Sequence, residues 1–570
     1  MDLRKLTATI SWAMVMTIGL AACGGGSGGS SAPPPAPPAA ETPPDGDGDG
    51  VADDDDAFPD DPNEDTDTDG DGVGDNSDNC VEDENPGQED SDANGAGDVC
   101  DPMPETYSAA GNLNGGSDDG VSYSGQTARL VLQQKLTDYM VELVEQEGEF
   151  NAVSQGLRFY VTGDGADFTN HEFATKGGDP VIPGPTYGDI SSGKNLDGKI
   201  AGGDGAGGGE TSKLIGDEFF GWETGLDDTP LPIELVYSWM DALALEATDG
   251  VDPIITIADG IEVNIGTPLI SKDGVHYRQL IQKFLSVSVN FSQGANDYLQ
   301  TDFGSESSLA AYKDKTYSTG AHKFDEGFGY YGASRDLNDY TDNEAAGKGG
   351  RAEYGNGYYD SNGDGLIDLR SEFVFGHAQN CAKRDRKKNA EGVAYTDFSK
   401  EAMDAFLVGR RILENAEAAG ELTEAANEAL QAQISIAAKT WEECIAATVV
   451  HYINDVSADM EGFSGENFAD LDNFINLTKH WGEMKGFALG LQFSPLSPFR
   501  DGSTDKSVDD LKRVLALMGD APVMPNGSQN GQAAAVDSAE AITNYLSDLE
   551  EARTILAEAY AFDPEVVPIW

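Results

Sequence analysis

Apolar residues recur every three to four positions through much of the chain after residue 105, which is the spacing of an amphipathic helix. Ser124 stands where it can cap the first predicted helix. The pattern predicts helices over 124–143, 230–243, 277–289, 422–456, 471–491 and 537–561. In the Ala-rich segment 422–456 the apolar stripe consists of Leu430, Ile434, Ala438, Trp441, Ile445 and Tyr452. We therefore expect a mainly α-helical domain from 105 to 570.

Strand patterns are sparse. The runs 254–257 and 261–265 flank Asp259-Gly260 and predict one small hairpin. A glycine-rich stretch, 162–221, lacks the strand, the Lys-Ser/Thr pair and the helix start that frame a phosphate-binding loop. We interpret it as a surface excursion.

The N-terminus has the pattern of an export signal. Arg4 and Lys5 precede an apolar run over 6–22, which is shorter than the roughly 20 residues of a membrane-spanning helix. The run ends in LAAC, and these letters resemble a bacterial lipobox that places the lipid on Cys23. The alternative is an ordinary secretory signal with a chance cysteine. We expect a signal peptide over 1–22.

Residues 23–44 continue from the lipidated cysteine as a tether, flexible in its Gly/Ser part and semi-rigid in its Pro part. The resemblance to lipoproteins, with Gly24 after Cys23, implies a protein anchored in the outer membrane through its lipid. It leaves open whether the protein faces the periplasm or the outside.

The charge balance is extreme, because 102 Asp and Glu oppose 35 Lys and Arg for a net charge of −67. Such a chain repels phosphate backbones, which excludes nucleic acid as a default partner. A protein or small ligand remains the expected partner of the large domain.

Acidic residues are densest over 45–101, where 20 Asp and 4 Glu occur without Lys or Arg. A disordered acidic run is the alternative. The spacing instead fits EF-hand-type loops, which place oxygen ligands at positions 1, 3, 5, 9 and 12 and glycine at position 6. The predicted ligands are Asp45, Asp47, Asp49, Asp53 and Asp56; Asp67, Asp69, Asp71, Asp75 and Asp78; and Asp90, Asp92, Asn94, Asp98 and Asp101.

These loops begin 22 and 23 residues apart, which indicates repeats. With the intervening segments 58–62, 78–80 and 85–88, they closely resemble thrombospondin type-3 repeats. The resemblance implies a non-regular calcium-binding stalk over 45–104 with almost no hydrophobic core, closed by a Cys80–Cys100 disulfide. Folding of such a segment is coupled to metal binding.

A fourth loop of this type lies inside the large domain at 360–371. Asp360, Asn362, Asp364 and Asp368 stand at positions 1, 3, 5 and 9. Position 12 is a serine and Glu372 follows one residue late, which weakens the closing ligand. Calcium binding is favoured over a solvated Asp/Gly turn.

Four cysteines remain after Cys23. An exported protein meets an oxidising compartment, so two disulfides are expected. Cys80–Cys100 is one pair. Cys381–Cys444 is the second, with buried free thiols as the alternative.

Four phrases in the large domain, HKFDEGFGYYG at 322–332, SEFVFG at 371–376, AKRD at 382–385 and HWGEMKGF at 480–487, resemble a family of bacterial exported lipoproteins whose domain has no assigned function. That family is distantly similar to the imelysins. The similarity implies a helical domain of one or two bundles connected with iron uptake. Some imelysins are metallopeptidases with a Gly-x-His-x-x-Glu motif, which this chain lacks because Asn380 follows Gly376-His377 without the glutamate.

Histidines offer the remaining candidate chemistry. His480 and Glu483 are three residues apart on a predicted helix, His451 and Asp455 are four apart, and both pairs share a face. With His377 they could hold iron or zinc; core packing is the alternative. The family resemblance also draws attention to Asp325 and Glu326. Basic islands at 383–388 and 410–411 are interpreted as ion-pair partners rather than anion sites.

Three hypotheses follow. The first is a calcium-binding surface lipoprotein whose helical domain binds a ligand, with iron acquisition as the implied role. The second is a metal-dependent hydrolase or peptidase of imelysin type. The third is an adhesive surface protein. Whether the protein is an enzyme stays open, and a binding role is favoured.

Overall fold

The computed structural model describes residues 43–143, 149–163, 180–184, 186–190, 193–202, 214–223, 231–249, 254–257, 261–461, 463 and 471–570. The predicted signal peptide, Cys23, half of the glycine-rich stretch and the Asp259-Gly260 turn lie outside the described residues. None of the described helices is both long and apolar enough to span a bilayer. The chain divides into two compact units, 1–77 and 78–570.

In the smaller unit the described residues, 43–77, contain turns and bends and neither helix nor strand. Its buried carboxylate is Glu64, which is 5% exposed. One Glu64 oxygen accepts the amide of Asn76 at 3.0 Å, and the other accepts the hydroxyl of Ser77. A polar network thus takes the place of a hydrophobic core in this part of the chain.

The larger unit is mainly α-helical, as predicted. Its helices are α1 (Ser124–Glu142), α2 (Phe150–Thr162), α3 (Tyr187–Ile190), α4 (Pro232–Thr248), α5 (Tyr277–Leu285), α6 (Ser292–Asn296), α7 (Glu306–Leu309), α8 (Thr319–Tyr331), α9 (Asp342–Ala345), α10 (Gly376–Asp385), α11 (Phe398–Ala419), α12 (Glu424–Glu461), α13 (Leu471–Ala488), α14 (Val508–Met518) and α15 (Ser538–Ala559). Short 3₁₀ turns connect several of them.

The long helix α12 is the centre of this unit. It packs against α10, α11, α13 and α15. The predicted stripe is buried from Leu430 to Ile445, with Leu430, Ala438 and Trp441 at 0% exposure, and Tyr452 is half-buried. Apolar residues occur along most of the length of α12, so neighbouring helices can pack against it on several sides. This explains why the bundle assembles around α12.

The predicted helix over 277–289 is longer and less regular than expected. It consists of α5, a π-helical segment at Ser286–Phe291 and then α6. A π-helical turn inserts one residue into the helical repeat and is often found at functional sites. Ser124 is the first residue of α1 rather than its cap, because the cap position belongs to Tyr123.

The predicted hairpin is present as β1 (Ile254–Ile257) paired antiparallel with β2 (Ile261–Asn264). Both predicted disulfides are formed, Cys80–Cys100 with Cα atoms 5.7 Å apart and Cys381–Cys444 with Cα atoms 5.2 Å apart. The second joins α10 to α12 inside the core, so the alternative of buried free thiols is wrong.

A buried ion pair fixes the segment before α1 to the bundle. Arg410 Nε donates to Asp325 at 3.0 Å, and both side chains are at most 1% exposed. The same carboxylate accepts the Tyr107 hydroxyl and the Ser122 amide, each at 2.9 Å. Asp325 therefore anchors the segment before α1, since all three donors bind its carboxylate.

Candidate functional site

The acidic loops are shaped by hydrogen bonds from their own backbone to their own side chains. The residue at position 9 accepts the amide of position 2, at 2.6, 2.8 and 2.9 Å in successive loops: Gly46 to Asp53, Thr68 to Asp75 and Ser91 to Asp98. The residue at position 5 accepts the amide of position 7 at 2.7 to 2.8 Å: Val51 to Asp49, Val73 to Asp71 and Ala96 to Asn94. The repeats seen in the sequence are thus also repeats in conformation.

The glycine at position 6 has a backbone reason in each loop. Gly50, Gly72 and Gly95 have φ angles of 109°, 93° and 93°, and Gly365 in the fourth loop has 82°. Residues other than glycine rarely adopt this region, so the sharp turn that brings the early ligands together depends on glycine.

Carboxylates converge at the start of the first two loops. Ligand oxygens of Asp45, Asp47 and Asp49 all lie within 4.8 Å of one another, and those of Asp67, Asp69 and Asp71 do the same. Calcium binds oxygens at about 2.3–2.6 Å, so this spacing lets one ion contact all three carboxylates of a loop.

The carboxylate of Asp47 shows why such a cluster favours a cation. Its Oδ2 is buried and receives no hydrogen bond. Burial raises the pKa of this carboxyl, and the charges of Asp49, Asp56 and Asp45 raise it further. A divalent cation would supply the missing partner and relieve the repulsion.

The third loop, which belongs to the larger unit, meets basic and amide groups of α11. Arg411 lies 3.1 Å from Asp101, and Asn415 donates to Asp92 at 2.9 Å. Asp92 is buried, and this burial raises its pKa while Arg411 opposes the shift. The loop is therefore packed on the helical bundle through two of its predicted calcium ligands.

The fourth loop departs from the other three at its end. Glu372 accepts the amides of Ser361, Asn362 and Asp368 at 3.0, 3.3 and 2.8 Å. Asp368, the predicted position-9 ligand, instead forms a two-pronged ion pair with Arg370 at 2.7 and 3.0 Å. Glu372 thus closes the loop by accepting hydrogen bonds from the loop backbone. It stands one residue after position 12, which distinguishes the fourth loop from the other three.

Two of the candidate histidines converge between α12 and α13. His451 Nε2 lies 3.4 Å from Asp455 Oδ2, and His480 Nε2 lies 3.8 Å from the same oxygen. His480 Nδ1 also contacts Asp459 at 2.7 Å. Burial alone would lower the pKa of His480, but the hydrogen bond and charge of Asp459, with the charges of Asp455 and Glu483, raise it.

The other two candidates lie in different contacts. His377 is buried against Trp441, and its Nε2 lies 2.9 Å from the Ser286 carbonyl, so this nitrogen carries the proton and donates it. Burial lowers the pKa of His377 to about 4. Glu483 pairs with Lys283 at 3.4 Å. His377 is therefore a core histidine, and the four predicted residues do not form one metal centre.

A third carboxylate group was not predicted. Asp342, Asp385 and Asp397 place ligand oxygens within 4.8 Å of one another. Asp385, however, accepts hydrogen bonds from Thr396 and from the amides of Phe398 and Ser399, which begin α11. Burial raises the pKa of Asp385 to about 6. Three residues from distant positions carry no spacing signal, which is why sequence reasoning missed them.

A cleft of about 1310 Å³ opens in the larger unit beside the fourth loop and α11. Asp336, Asp339, Glu401 and Asp404 line it together with Arg335. This surplus of carboxylates disfavours anionic ligands.

No family model matches this chain, and neither a curated protein nor a solved structure does.

Proposed function

We propose that this chain is a calcium-binding lipoprotein of the bacterial outer membrane, held there by Cys23 and presenting a helical domain that binds a ligand. The N-terminal repeats bind calcium through Asp and Asn side chains, and the tether carries them away from the membrane. The lipobox-like end of the apolar N-terminal run supports the anchor.

The observation that carries the calcium proposal is the convergence of three carboxylates at the start of each of the first two loops. Asp45, Asp47 and Asp49 occupy the positions that the repeat predicts, and their oxygens lie within 4.8 Å of one another. The unpartnered Oδ2 of Asp47 is a buried acceptor that a cation or a proton would satisfy. Oxygen-only ligands of this kind suit calcium better than zinc or iron.

The decisive experiment measures calcium binding to the purified full-length protein by isothermal titration calorimetry. The double variant Asp45→Asn/Asp47→Asn should bind one calcium ion fewer than the wild type. Asp54→Asn, an exposed aspartate outside the ligand positions, is the matched control and should keep the full stoichiometry.

A structural readout accompanies the titration. Hydrogen exchange over 43–77 should slow when calcium replaces a chelator, because metal binding is coupled to folding of the repeats. Unchanged stoichiometry in the double variant together with unchanged exchange would refute the calcium proposal.

The anchor is tested separately. Wild-type protein should sediment with membranes and Cys23→Ala should appear in the soluble fraction. Membrane association of Cys23→Ala equal to that of the wild type would contradict a lipid anchor at this residue.

A second metal site is favoured by one observation, the shared contact of His451 and His480 with Asp455. We propose iron or zinc as its ion. Among the described residues these three ligand atoms are not all within 4.8 Å, so one ring has to move for binding. Metal content of the purified protein should fall in His480→Ala and stay unchanged in His322→Ala, whose ring contacts Ser122 and Glu326 instead. Equal content in both variants would reject the site.

A further inference from the structure

A cavity of about 200 Å³ lies where α1, α5 with its π-helical segment, α10 and α13 meet. Its lining is unusual for this chain, because it contains two lysines and several carboxamides and no carboxylate. The protein as a whole has 102 acidic and 35 basic residues. The charged side chains of the lining are therefore opposite in sign to the net charge of the whole chain.

The two lysines differ in their partners. Lys283 is paired with Glu483 at 3.4 Å. Lys383 contacts the carboxamide oxygens of Gln379 and Asn380, at 3.0 and 3.3 Å, and has no carboxylate partner among the described residues. Burial lowers the pKa of Lys383 to about 7, and the charges of Lys283 and Arg384 add to this shift. The ammonium of Lys383 is half-buried and its hydrogen-bond partners are neutral, so an anion in the cavity would be stabilised beside it.

The start of α10 adds backbone donors to the same cavity. Gly376, the first residue of this ten-residue helix, lines the cavity, and no side chain caps the helix. Uncapped amides at a helix N-terminus, with the positive end of the helix dipole, favour an anion. The Lys383 ammonium and this helix start thus point to the same kind of ligand group.

The π-helical segment supplies the opposite wall. Ser286 and Asn290 both line the cavity. Asn290 exchanges hydrogen bonds with Gln133 at 2.8 and 3.3 Å, and His377 holds the carbonyl of Ser286. The carboxamides are therefore fixed in orientation, and each offers both a donor and an acceptor. Such groups match hydroxyls.

We propose that this cavity binds a small hydroxylated carboxylate, of the size of a sugar acid or hydroxy acid. The carboxylate lies against Lys383 and the first amides of α10, and the hydroxyls contact Gln133 and Asn290. Phe373 and Phe487 supply apolar surface at the lining. The proposal deepens the ligand-binding role proposed above for the helical domain and does not depend on calcium binding by the repeats.

The test is calorimetric titration of the purified full-length protein with glucuronate, galacturonate, gluconate, malate and citrate. Glucose and inorganic phosphate serve as the neutral and the inorganic comparison. At least one acid should bind more tightly than both comparisons. Absence of binding by all five acids, or binding of glucose or phosphate as tight as that of the best acid, overturns the proposal.

Two variants test whether the acid binds in this cavity. Lys383→Met should weaken the best acid about tenfold or more, because a charge-assisted hydrogen bond is lost. Lys272→Met, an exposed lysine, is the matched control and should bind as the wild type does. Unchanged affinity in Lys383→Met would assign the acid to another site.

Gly376→Leu is the second variant, and it distinguishes a loss of binding from a loss of folding. A Cβ at Gly376 meets no atom within 4 Å, and its φ is ordinary, so this position of the lining accepts a side chain without strain. We expect this variant to retain the thermal stability of the wild type and to lose binding of the acid. Calcium stoichiometry measured on the same variants should stay unchanged, which separates failure at this cavity from failure of the repeats.

Discussion

The guanidinium of Arg411 in α11 reaches two carboxylates of the third acidic loop, lying 3.1 Å from Asp101 and 3.6 Å from Asp92. These residues occupy positions 12 and 3 of the loop, where the repeat predicts calcium ligands. The arginine therefore competes with a cation for the same oxygens. It also ties this loop to the helical bundle.

Removing this competitor should strengthen calcium binding at the third loop. In Arg411→Gln we expect an affinity up to about fivefold higher, because a partly exposed ion pair contributes about 0.2–1 kcal/mol. Terbium luminescence can follow this loop when Asp47→Asn, Asp69→Asn and Asp364→Asn disable the first, second and fourth loops. Arg513→Gln, which breaks an exposed ion pair with Glu551, is the control. Equal binding in Arg411→Gln would contradict the competition. Weaker binding would show that Arg411 organises the site instead.

We expect Glu372 to hold the backbone of the fourth loop in place even when no metal is bound. In Glu372→Gln the side chain presents an NH₂ group to amides that now find a carboxylate, so at least one amide of Ser361, Asn362 or Asp368 loses its acceptor. Hydrogen exchange over 360–372, measured with chelator present, should become about tenfold faster.

The exposed Glu353→Gln is the matched control for that measurement, since it lies near the loop and outside it. If both variants exchange at the wild-type rate, Glu372 is not what holds the loop closed.

The buried pair of Asp325 and Arg410 should be one of the costlier pairs to break. Asp325→Asn leaves the guanidinium without its counter-charge in the core, and we expect a loss of about 3–5 kcal/mol in the free energy of unfolding. Chemical denaturation measures it. Asp404→Asn removes the exposed partner of Lys400 and should change stability by less than about 1 kcal/mol. Equal effects of the two substitutions would disprove the anchoring role.

Glu442 should make stability depend on pH. This side chain is 1% exposed, and burial raises the pKa of its carboxyl from 4.5 to about 7, against the hydrogen bonds from Ser497 and Tyr560. Its contribution to stability is present in full below pH 4.5 and is lost as the pH rises through 7. A tenfold change in proton affinity between the folded and unfolded states corresponds to about 1.4 kcal/mol, so the loss amounts to at most ~3.5 kcal/mol.

Glu442→Gln removes this titration. Relative to the wild type, the variant should gain stability between pH 5 and pH 8 in denaturation experiments. Glu428→Gln, at an exposed position of the same helix, should show no such gain. A stability difference between Glu442→Gln and the wild type that stays constant over this range would contradict the raised pKa.

Much of the helical architecture could be predicted because it follows from local spacing. The stripe through Leu430 and Trp441 identifies α12, since a helix buried on several sides needs apolar residues throughout its length. The π-helical segment could not be predicted, because Ser286–Phe291 has the same apolar periodicity as an ordinary helix over so short a stretch. The extra residue is visible only in the hydrogen bonds.

The candidate sites also divide into those that local spacing predicts and those that it does not. The acidic loops are local, so spacing alone placed Asp45, Asp47 and Asp49 together. The histidines are not local, and His377 is committed to Ser286 rather than to His451 or His480. The interpretation of the basic islands as ion-pair partners is confirmed for Arg410, whereas Lys383 contacts two carboxamide oxygens and lines the cavity. Long-range packing decides such cases, and one sequence does not contain it.

The π-helical turn at Ser286–Phe291 also fixes how this fold tolerates changes in length. This wide turn holds one residue more than an ordinary turn, so deleting one residue within it should restore the α repeat while the faces of α5 and α6 stay aligned. The same deletion in the middle of α12 would rotate the two halves of that helix against each other by roughly 100° and disrupt its packing. The π-helical turn is thus a place where a helix of this unit can lose a residue and keep its packing, at the expense of the positions that Ser286 and Asn290 take at the cavity.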